Sequence, residues 1–165
     1  MSGIADFRLI ESSRLNELRD KAEIRTEKKL FSSKTIDNYW DYLNSNPKKL
    51  RDFGYSGYIF ANLLIFLAEN KGIDLLKSKY DDTANTIAQR RQNSTCIFTY
   101  DHRQAYLDKL DAGKFSKDEL IAFNKDFSED DDPELATAEI EGIKALRDSL
   151  AQLTGDDHVI LLSVG

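Results

Sequence analysis

SGYIFANLLIFLAENKG, residues 56–72, is the longest apolar stretch of the chain, and its composition decides the fold. Ten of the eleven residues from Tyr58 to Ala68 are apolar or aromatic, and the exception is Asn62. Buried strands usually run for about four to eight residues and are rich in β-branched types, so this longer run of Leu, Phe and Ala predicts a helix. Because no face of that helix is polar, other elements must wrap it on all sides.

The ends and the length of this segment indicate a core helix and not a membrane helix. Ser56 suits the first turn, and Lys71 followed by Gly72 suits the last one. About 15 residues at roughly 1.5 Å each span roughly 22 Å, which is short of the ~30 Å hydrocarbon layer of a bilayer. Asn62 and Glu69 would in addition lie unpaired in lipid, which is unfavourable.

Three segments have the composition of strands. GIADFRLI, residues 3–10, alternates imperfectly and has one apolar face. STCIFTYD, residues 94–101, is rich in β-branched and aromatic residues. HVILLSVG, residues 158–165, is dominated by aliphatic residues, which is typical of a strand buried on both faces. Such a strand needs neighbours, and the other two predicted strands are the available ones.

Helical spacing of apolar residues and capping signals predict the remaining elements. Ser116 and Glu119 form a capping box in front of LIAF, and Pro133 suits the first turn of the longest amphipathic helix. The predicted helices are one that carries Leu15, Leu18 and Ala22, one over residues 35–43 with Ile36, Tyr39, Trp40 and Leu43 on one face, a short one over 74–80, and others over 82–91, from 101 to 113, over 117–127 and from 133 to 155. Residues 22–34 are left open, and residues 48–55 are interpreted as a basic connection.

The sum of these elements is an α+β fold. We predict a single domain over residues 1–165, mostly helical around a central buried helix, with a small sheet that includes both terminal strands. A chain of this length buries about 70% of the surface that its unfolded form exposes, so it needs no disulfide for stability. No internal repeat or long linker divides it.

Cysteine use and the amino-terminal residues bear on the compartment. Cys96 is the single cysteine, so it cannot form an internal disulfide. The first residues, MSGIADFRLIESS, lack the basic start and the apolar run of a secretory signal. We therefore expect a cytoplasmic protein.

The charges are distributed unevenly along the chain. The formal net charge is −6. Residues 1–100 hold 16 Lys and Arg against 13 Asp and Glu, a net of +3, whereas residues 101–165 hold 7 against 16, a net of −9. A negative field repels phosphate backbones and attracts cationic partners, so the carboxy-terminal part disfavours nucleic acid and favours a basic partner.

Three features together resemble a known family. They are the opening GIADFRLIESSRLNEL, the tetrad from Trp40 to Leu43, and the closing apolar strand that ends in Val164 and Gly165. In order and spacing they are similar to the YfbM-like family of small bacterial proteins of unknown function. This resemblance implies an α+β cytosolic bacterial domain and implies no activity.

The sequence offers two arrangements for an enzyme. Cys96 and His102 lie near one strand end, where a thiol nucleophile and its base would need to meet. The apolar strand around Cys96 is more typical of an inert buried thiol. The other arrangement is a cleft near the core helix in which Glu69, Tyr100 and His102 act as acids or bases on a small molecule.

Metal, nucleotide and nucleic-acid sites have weaker signals. Asp130, Asp131, Asp132, Glu134 and Glu141 superficially resemble a calcium loop, but the glycine that such a loop needs at its sixth position is absent. No glycine-rich phosphate loop is present.

The basic connection over residues 48–55 also has two interpretations. Lys48, Lys49 and Arg51, beside Tyr55 and Tyr58, could face nucleic acid, although a solvated turn is the more common role of such residues. We predict no cofactor, no metal, no nucleic acid and no membrane.

The function favoured by the sequence is a non-enzymatic acidic binding protein. Its concrete form is a bacterial immunity or antitoxin protein that neutralises a basic toxin by direct binding, because a concentrated negative charge speeds association with a basic surface. The predicted partner-binding residues are Asp130, Asp131, Asp132, Glu134, Glu139 and Glu141. The alternatives are the small-molecule enzyme and an oligomeric scaffold, a homo-oligomer that pairs through the long carboxy-terminal helix.

Overall fold

A computed structural model describes residues 3–165 of the chain. Within that range the strands are β1 (Ala5–Glu11), β2 (Arg25–Lys29), β3 (Ser32–Ile36), β4 (Lys48–Asp52), β5 (Ser94–Phe98) and β6 (His158–Val164). The α-helices are α1 (Leu15–Lys21), α2 (Tyr39–Ser45), α3 (Ile59–Lys71), α4 (Asp81–Arg91), α5 (Tyr100–Tyr106), α6 (Lys117–Ser128) and α7 (Pro133–Leu150). The fold is α+β, as the sequence predicts.

The main sheet has four antiparallel strands in the order β4-β1-β6-β5. In β6, Leu162 lies between Phe7 of β1 and Cys96 of β5. Residues 159–164 are all buried, which explains the continuous aliphatic composition of this strand. The prediction that the last strand pairs with the amino-terminal strand and the Cys96 strand is confirmed.

The core helix α3 lies against one face of this sheet. Its buried residues are Ile59, Phe60, Leu63, Leu64, Phe66 and Leu67. Gly142 of α7 allows that helix to approach closely, because a Cβ at this position would lie 2.7 Å from Ile59 Cδ1 and 2.8 Å from Leu63 Cδ2. Gly72 ends α3 in the left-handed conformation, with φ at +64°, as its position in the sequence predicts.

The sheet separates two clusters of buried apolar side chains. The larger cluster joins α3, α6 and α7 to one face, through residues such as Phe7 and Ile160. The smaller cluster joins α1, α2 and α4 to the other face, through Ile10, Val159 and Leu161. The alternation of β1 decides which side chain enters which cluster.

Before the core helix, the structure shows the form of the region that the sequence leaves open and corrects two predictions. The open region forms an exposed hairpin of β2 and β3, with Leu30 and Phe31 at its tip more than nine-tenths exposed. The predicted helix over 35–43 starts only at Tyr39, because residues up to Ile36 pair with β2. The basic connection is strand β4, which pairs with β1.

A third correction concerns residues 74–80, which contain no helix. Asp74 Oδ1 accepts a hydrogen bond from the Leu76 N–H at 3.0 Å, and Asp81 Oδ1 accepts one from the Ser78 N–H at 2.8 Å. These local side-chain bonds to the backbone replace the helical ladder, which is a known tendency of Asp and Ser.

Candidate partner-binding surface

Asn62 is the only polar residue in the apolar run of the core helix, and its side chain binds helix α6. Its Nδ2 donates to Asn124 Oδ1 at 3.2 Å and to Ser128 Oγ at 2.9 Å. Both acceptors belong to α6, and Ser128 is the last residue of that helix. Asn62 is therefore a hydrogen-bonded core amide and not an amide that orients a ligand.

This polar network continues to α7. Asn124 Nδ2 donates to Glu139 Oε2 at 2.7 Å, and Glu139 is fully buried. Its other oxygen, Oε1, has no hydrogen-bond partner. Burial raises the pKa of Glu139 to about 7, the Asn124 hydrogen bond opposes that rise, and the nearby charge of Asp130 adds to it. The Glu139 side chain is therefore a neutral carboxylic acid at pH values below about 7.

The chain above this network, residues 126–134, forms what we call the acidic segment. Six of its nine residues are acidic and none is basic. Asp130 Oδ1 accepts from the Asp132 N–H at 3.0 Å, and Asp132 Oδ1 accepts from the Glu134 N–H at 2.9 Å at the start of α7. Asp132 is thus the N-cap of α7, which fixes the segment at its second end.

An aromatic side chain stands within the acidic segment. Phe127 is 47% exposed. Its ring stacks on Phe123 with 5.2 Å between centroids and 13° between planes, and Phe123 packs edge-on against Phe66 of the core helix at 5.3 Å. Phe127 is therefore an exposed apolar side chain on a rigid support, which is the kind of residue that anchors protein interfaces.

The charge of the acidic segment is largely uncompensated by ion pairs. Among residues 3–165, the ion pair that involves a member of the segment joins Lys125 and Asp131 at 3.6 Å. Glu141, further along α7, pairs with Lys144 at 2.5 Å. The segment can therefore present several free carboxylates to solvent.

The predicted partner-binding residues do not all reach this surface. Asp130, Asp131, Asp132 and Glu134 are exposed together, and Glu141 is partly exposed. Asp126, Phe127 and Glu129, which the sequence prediction does not name, are exposed in the same region of the chain.

Glu139 is the exception, and the prediction that it contacts a partner is wrong because it is fully buried. A signal for this was present in the sequence. Glu139 lies three residues after Ala136 and four before Ile143, both of which are buried, so it belongs to the inward face of α7.

The histidine that was considered as a catalytic base has a structural role. The Thr99 N–H donates to His102 Nδ1 at 3.2 Å, and His102 Nε2 donates to the Lys77 carbonyl at 2.8 Å. Both ring nitrogens are occupied, so the ring has no nitrogen with which to take a proton from Cys96. Burial also raises the pKa of the Cys96 thiol to about 11, which keeps it in the unreactive protonated form.

The other residues considered for an enzyme or for nucleic acid lie apart or are paired. Glu69 is exposed near the end of α3, whereas His102 is buried. Lys49 forms an ion pair with Asp52 at 2.5 Å, and Arg51 forms one with Asp148 at 3.0 Å. Two of the three basic charges of β4 are thus offset by neighbouring acids.

The long carboxy-terminal helix uses its apolar stripe within the chain. Half of the residues of α7 are buried, and Gly142, Ile143 and Leu146 are among them. They pack with α3 and α6 and are not available to a second copy.

In the part of the chain that the structure describes, no group of three or more His, Cys, Asp or Glu side chains is placed to hold a metal ion. Over residues 3–165, no helix combines the length and the apolar composition that a membrane crossing needs.

Comparisons with known proteins give one structural match. No family model matches the chain, and no curated protein matches it. Among solved structures, the chain is similar to the crystal structure of YfbM from Escherichia coli, a protein of unknown function, with 18% sequence identity and a TM-score of 0.43. The match covers 98% of this chain and 99% of that one. The match assigns no activity to this chain.

Proposed function

We propose that this protein is a non-enzymatic binding domain whose acidic segment contacts a basic protein. The observation that carries the proposal is the exposed ring of Phe127 among six acidic side chains in residues 126–134. An apolar anchor surrounded by charges of one sign combines affinity from burial with fast, electrostatically steered association.

The way the segment is held also supports this function. Ser128 is bonded to Asn62 of the core helix, and Asp132 caps α7. A surface that is ordered before binding loses less conformational entropy when a partner docks. The acidic segment therefore has its binding conformation already built.

In its concrete form, the protein is a bacterial immunity or antitoxin protein, and its partner is a basic toxin that it neutralises by covering the toxin's cationic surface. Carboxylates placed against such a surface occupy the positions that substrate phosphates would take. The partner is then expected to be encoded next to this chain, because a toxin and its neutralising protein must be produced together.

The test uses the purified product of the adjacent gene and stopped-flow association kinetics. Reversal of three exposed acids, as Asp126→Lys, Asp131→Lys and Glu134→Lys together, should lower the association rate constant by about tenfold or more and flatten its salt dependence. Asp132 is left unchanged, because its side chain caps α7 and fixes the backbone there.

The matched control reverses the same number of acidic charges at other positions. Asp20→Lys, Glu27→Lys and Asp82→Lys change three exposed acids outside the acidic segment. A smaller effect of this triple variant supports local docking. Equal effects of both triple variants, or no binding of the adjacent gene product by the native protein, would reject the proposal.

A further inference from the structure

The face of the sheet opposite to the core helix carries polar side chains at one end. The alternation of β1 places Phe7 against α3 and turns Asp6 and Arg8 to the side of α2. Ser163 of β6 pairs in register with Asp6, so the two side chains are neighbours on this face. A polar floor thus interrupts the smaller apolar cluster.

A cleft of about 420 Å³ opens above this floor. Its polar and aromatic lining includes Asp6, Arg8, Trp40, Lys49, Arg91 and Ser163. The volume lies within the range of about 300–1,000 Å³ that small-molecule sites occupy. Side chains from β1, β4, β6, α2 and α4 converge here, although they are far apart in the sequence.

Several buried polar atoms beside this cleft have no hydrogen-bond partner. They are Asp6 Oδ1, Arg91 Nε and the hydroxyl groups of Tyr39 and Ser163, which face each other. Unpartnered buried polar atoms are unfavourable and rare in folded proteins. Asp6, Arg91 and Ser163 also line the cleft, so a ligand bound there would lie next to these atoms.

The charges around the cleft are already neutralised within the protein. Arg8 Nε bonds Asp6 Oδ2 at 2.6 Å, and Arg91 makes two hydrogen bonds of 2.9 Å to Asp37. What remains unpartnered is one carboxylate oxygen, one N–H and two hydroxyl groups. This set suits a neutral ligand with both donors and acceptors better than a strongly charged one.

One wall of the cleft is a flat aromatic ring. Trp40 is 49% exposed. Its ring contacts the edge of Tyr39 at 5.3 Å between centroids, and the Arg91 guanidinium lies 5.8 Å from it, so the indole is held from within the protein. A fixed and half-exposed indole is a good surface for stacking a planar ring.

From this geometry we propose that the cleft binds a nucleobase or nucleoside, with the planar ring against Trp40 and its hydrogen-bonding edge on Asp6 and Ser163. A nucleobase presents adjacent donors and acceptors along one edge of a flat neutral ring. A sugar has donors and acceptors as well, but it distributes them around a ring without a π-face. This site is separate from the acidic segment and does not depend on its role.

The first experiment titrates the native protein with guanosine, adenosine, cytidine and uridine, with glucose as the sugar probe. Trp40 is the only tryptophan in the sequence, so its fluorescence reports on this cleft alone. We expect a saturable change with at least one nucleoside, with a dissociation constant of about 1 mM or below, confirmed by calorimetry.

The second experiment uses a matched pair of serine variants. Ser163→Ala removes an unpartnered hydroxyl of the floor, and Ser149→Ala removes an unpartnered buried hydroxyl of α7 that lies outside the cleft. We expect Ser163→Ala to weaken nucleoside binding roughly fivefold or more, and Ser149→Ala to leave it within about twofold.

A thermal melt of each variant establishes that it is folded. If Ser163→Ala does not fold, Trp40→Phe measured by calorimetry serves in its place, with weaker binding as the expected result. The proposal would be overturned if none of the four nucleosides bound saturably or if only glucose bound. It would also be overturned if neither Ser163→Ala nor Trp40→Phe weakened nucleoside binding.

Discussion

The two faces of the main sheet differ in how their buried polar groups are hydrogen-bonded. On the face that carries α3, the polar network from Asn62 through Asn124 to Glu139 is closed by helices and leaves one oxygen without a partner. On the opposite face, the unpartnered atoms of Asp6, Ser163 and Arg91 lie beside an open cleft. A polar group enclosed by packed helices thus finds a partner from a neighbouring helix, whereas the polar groups at the edge of the sheet face a cleft that no element of the chain fills.

The largest effect expected from this difference is on the packed face. Leu63 is fully buried between α3 and α7, so Leu63→Ala should lower the free energy of unfolding by about 2–5 kcal/mol. Urea denaturation monitored by circular dichroism measures it. Ile65→Ala on the same helix is the control, because Ile65 is only partly buried and should cost less. Equal losses would show that this face is not the main source of stability.

The next effect concerns pH. The folded pKa of Glu139, about 7, is raised above the ordinary value of 4.5, so its stabilising contribution is complete below pH 4.5 and is lost as the pH rises to about 7. Glu139→Gln keeps an acceptor for Asn124 and carries no charge. We expect it to be more stable than the native protein at pH 8 by on the order of 2–3 kcal/mol.

Urea denaturation at pH 5 and pH 8 measures this difference between the native protein and the Glu139→Gln variant. Glu141→Gln, on the same helix but partly exposed and paired with Lys144, is the control and should show little pH-dependent gain. A native protein as stable at pH 8 as the Glu139→Gln variant would contradict a buried, titrating Glu139.

The smallest effect is expected on the open face. The Tyr39 hydroxyl is buried without a partner, and burial raises its pKa, so the phenol stays neutral. Tyr39→Phe keeps the ring that packs on Trp40 and Arg91, and it should change the free energy of unfolding by no more than about 1 kcal/mol, in the stabilising direction. A loss of 2 kcal/mol or more, roughly the cost of breaking a buried polar network, would mean that the hydroxyl is bonded in solution.

Local chemistry made several elements predictable. The capping box of Ser116 and Glu119 is formed in the structure, with bonds of 3.0 and 3.2 Å, because it depends only on residues three apart. The same holds for Pro133 in the first turn of α7 and for the left-handed Gly72. The hairpin of β2 and β3 and the strand β4 were not recognised, because their polar composition lacks an apolar alternation.

The candidate sites were less predictable, since they depend on residues distant in the sequence. The exposed acids from Asp130 to Glu134 were visible as a charge run, and the sequence signal for the burial of Glu139 was only its helical spacing from Ala136 and Ile143. The cleft beside Trp40 had no sequence signal, because five separate elements supply its lining.

The sequence by itself determined the α+β class, the buried core helix from Ile59 to Lys71 and the central position of the last strand. Apolar runs and caps specify these features through contacts within an element and through the need to remove apolar surface from water. Only the tertiary structure decided that Asn62 holds the acidic segment, that His102 is structural, and that Asp6, Trp40 and Ser163 share a cleft. Such contacts join residues tens of positions apart, and their geometry exists only once the helices have packed on the sheet.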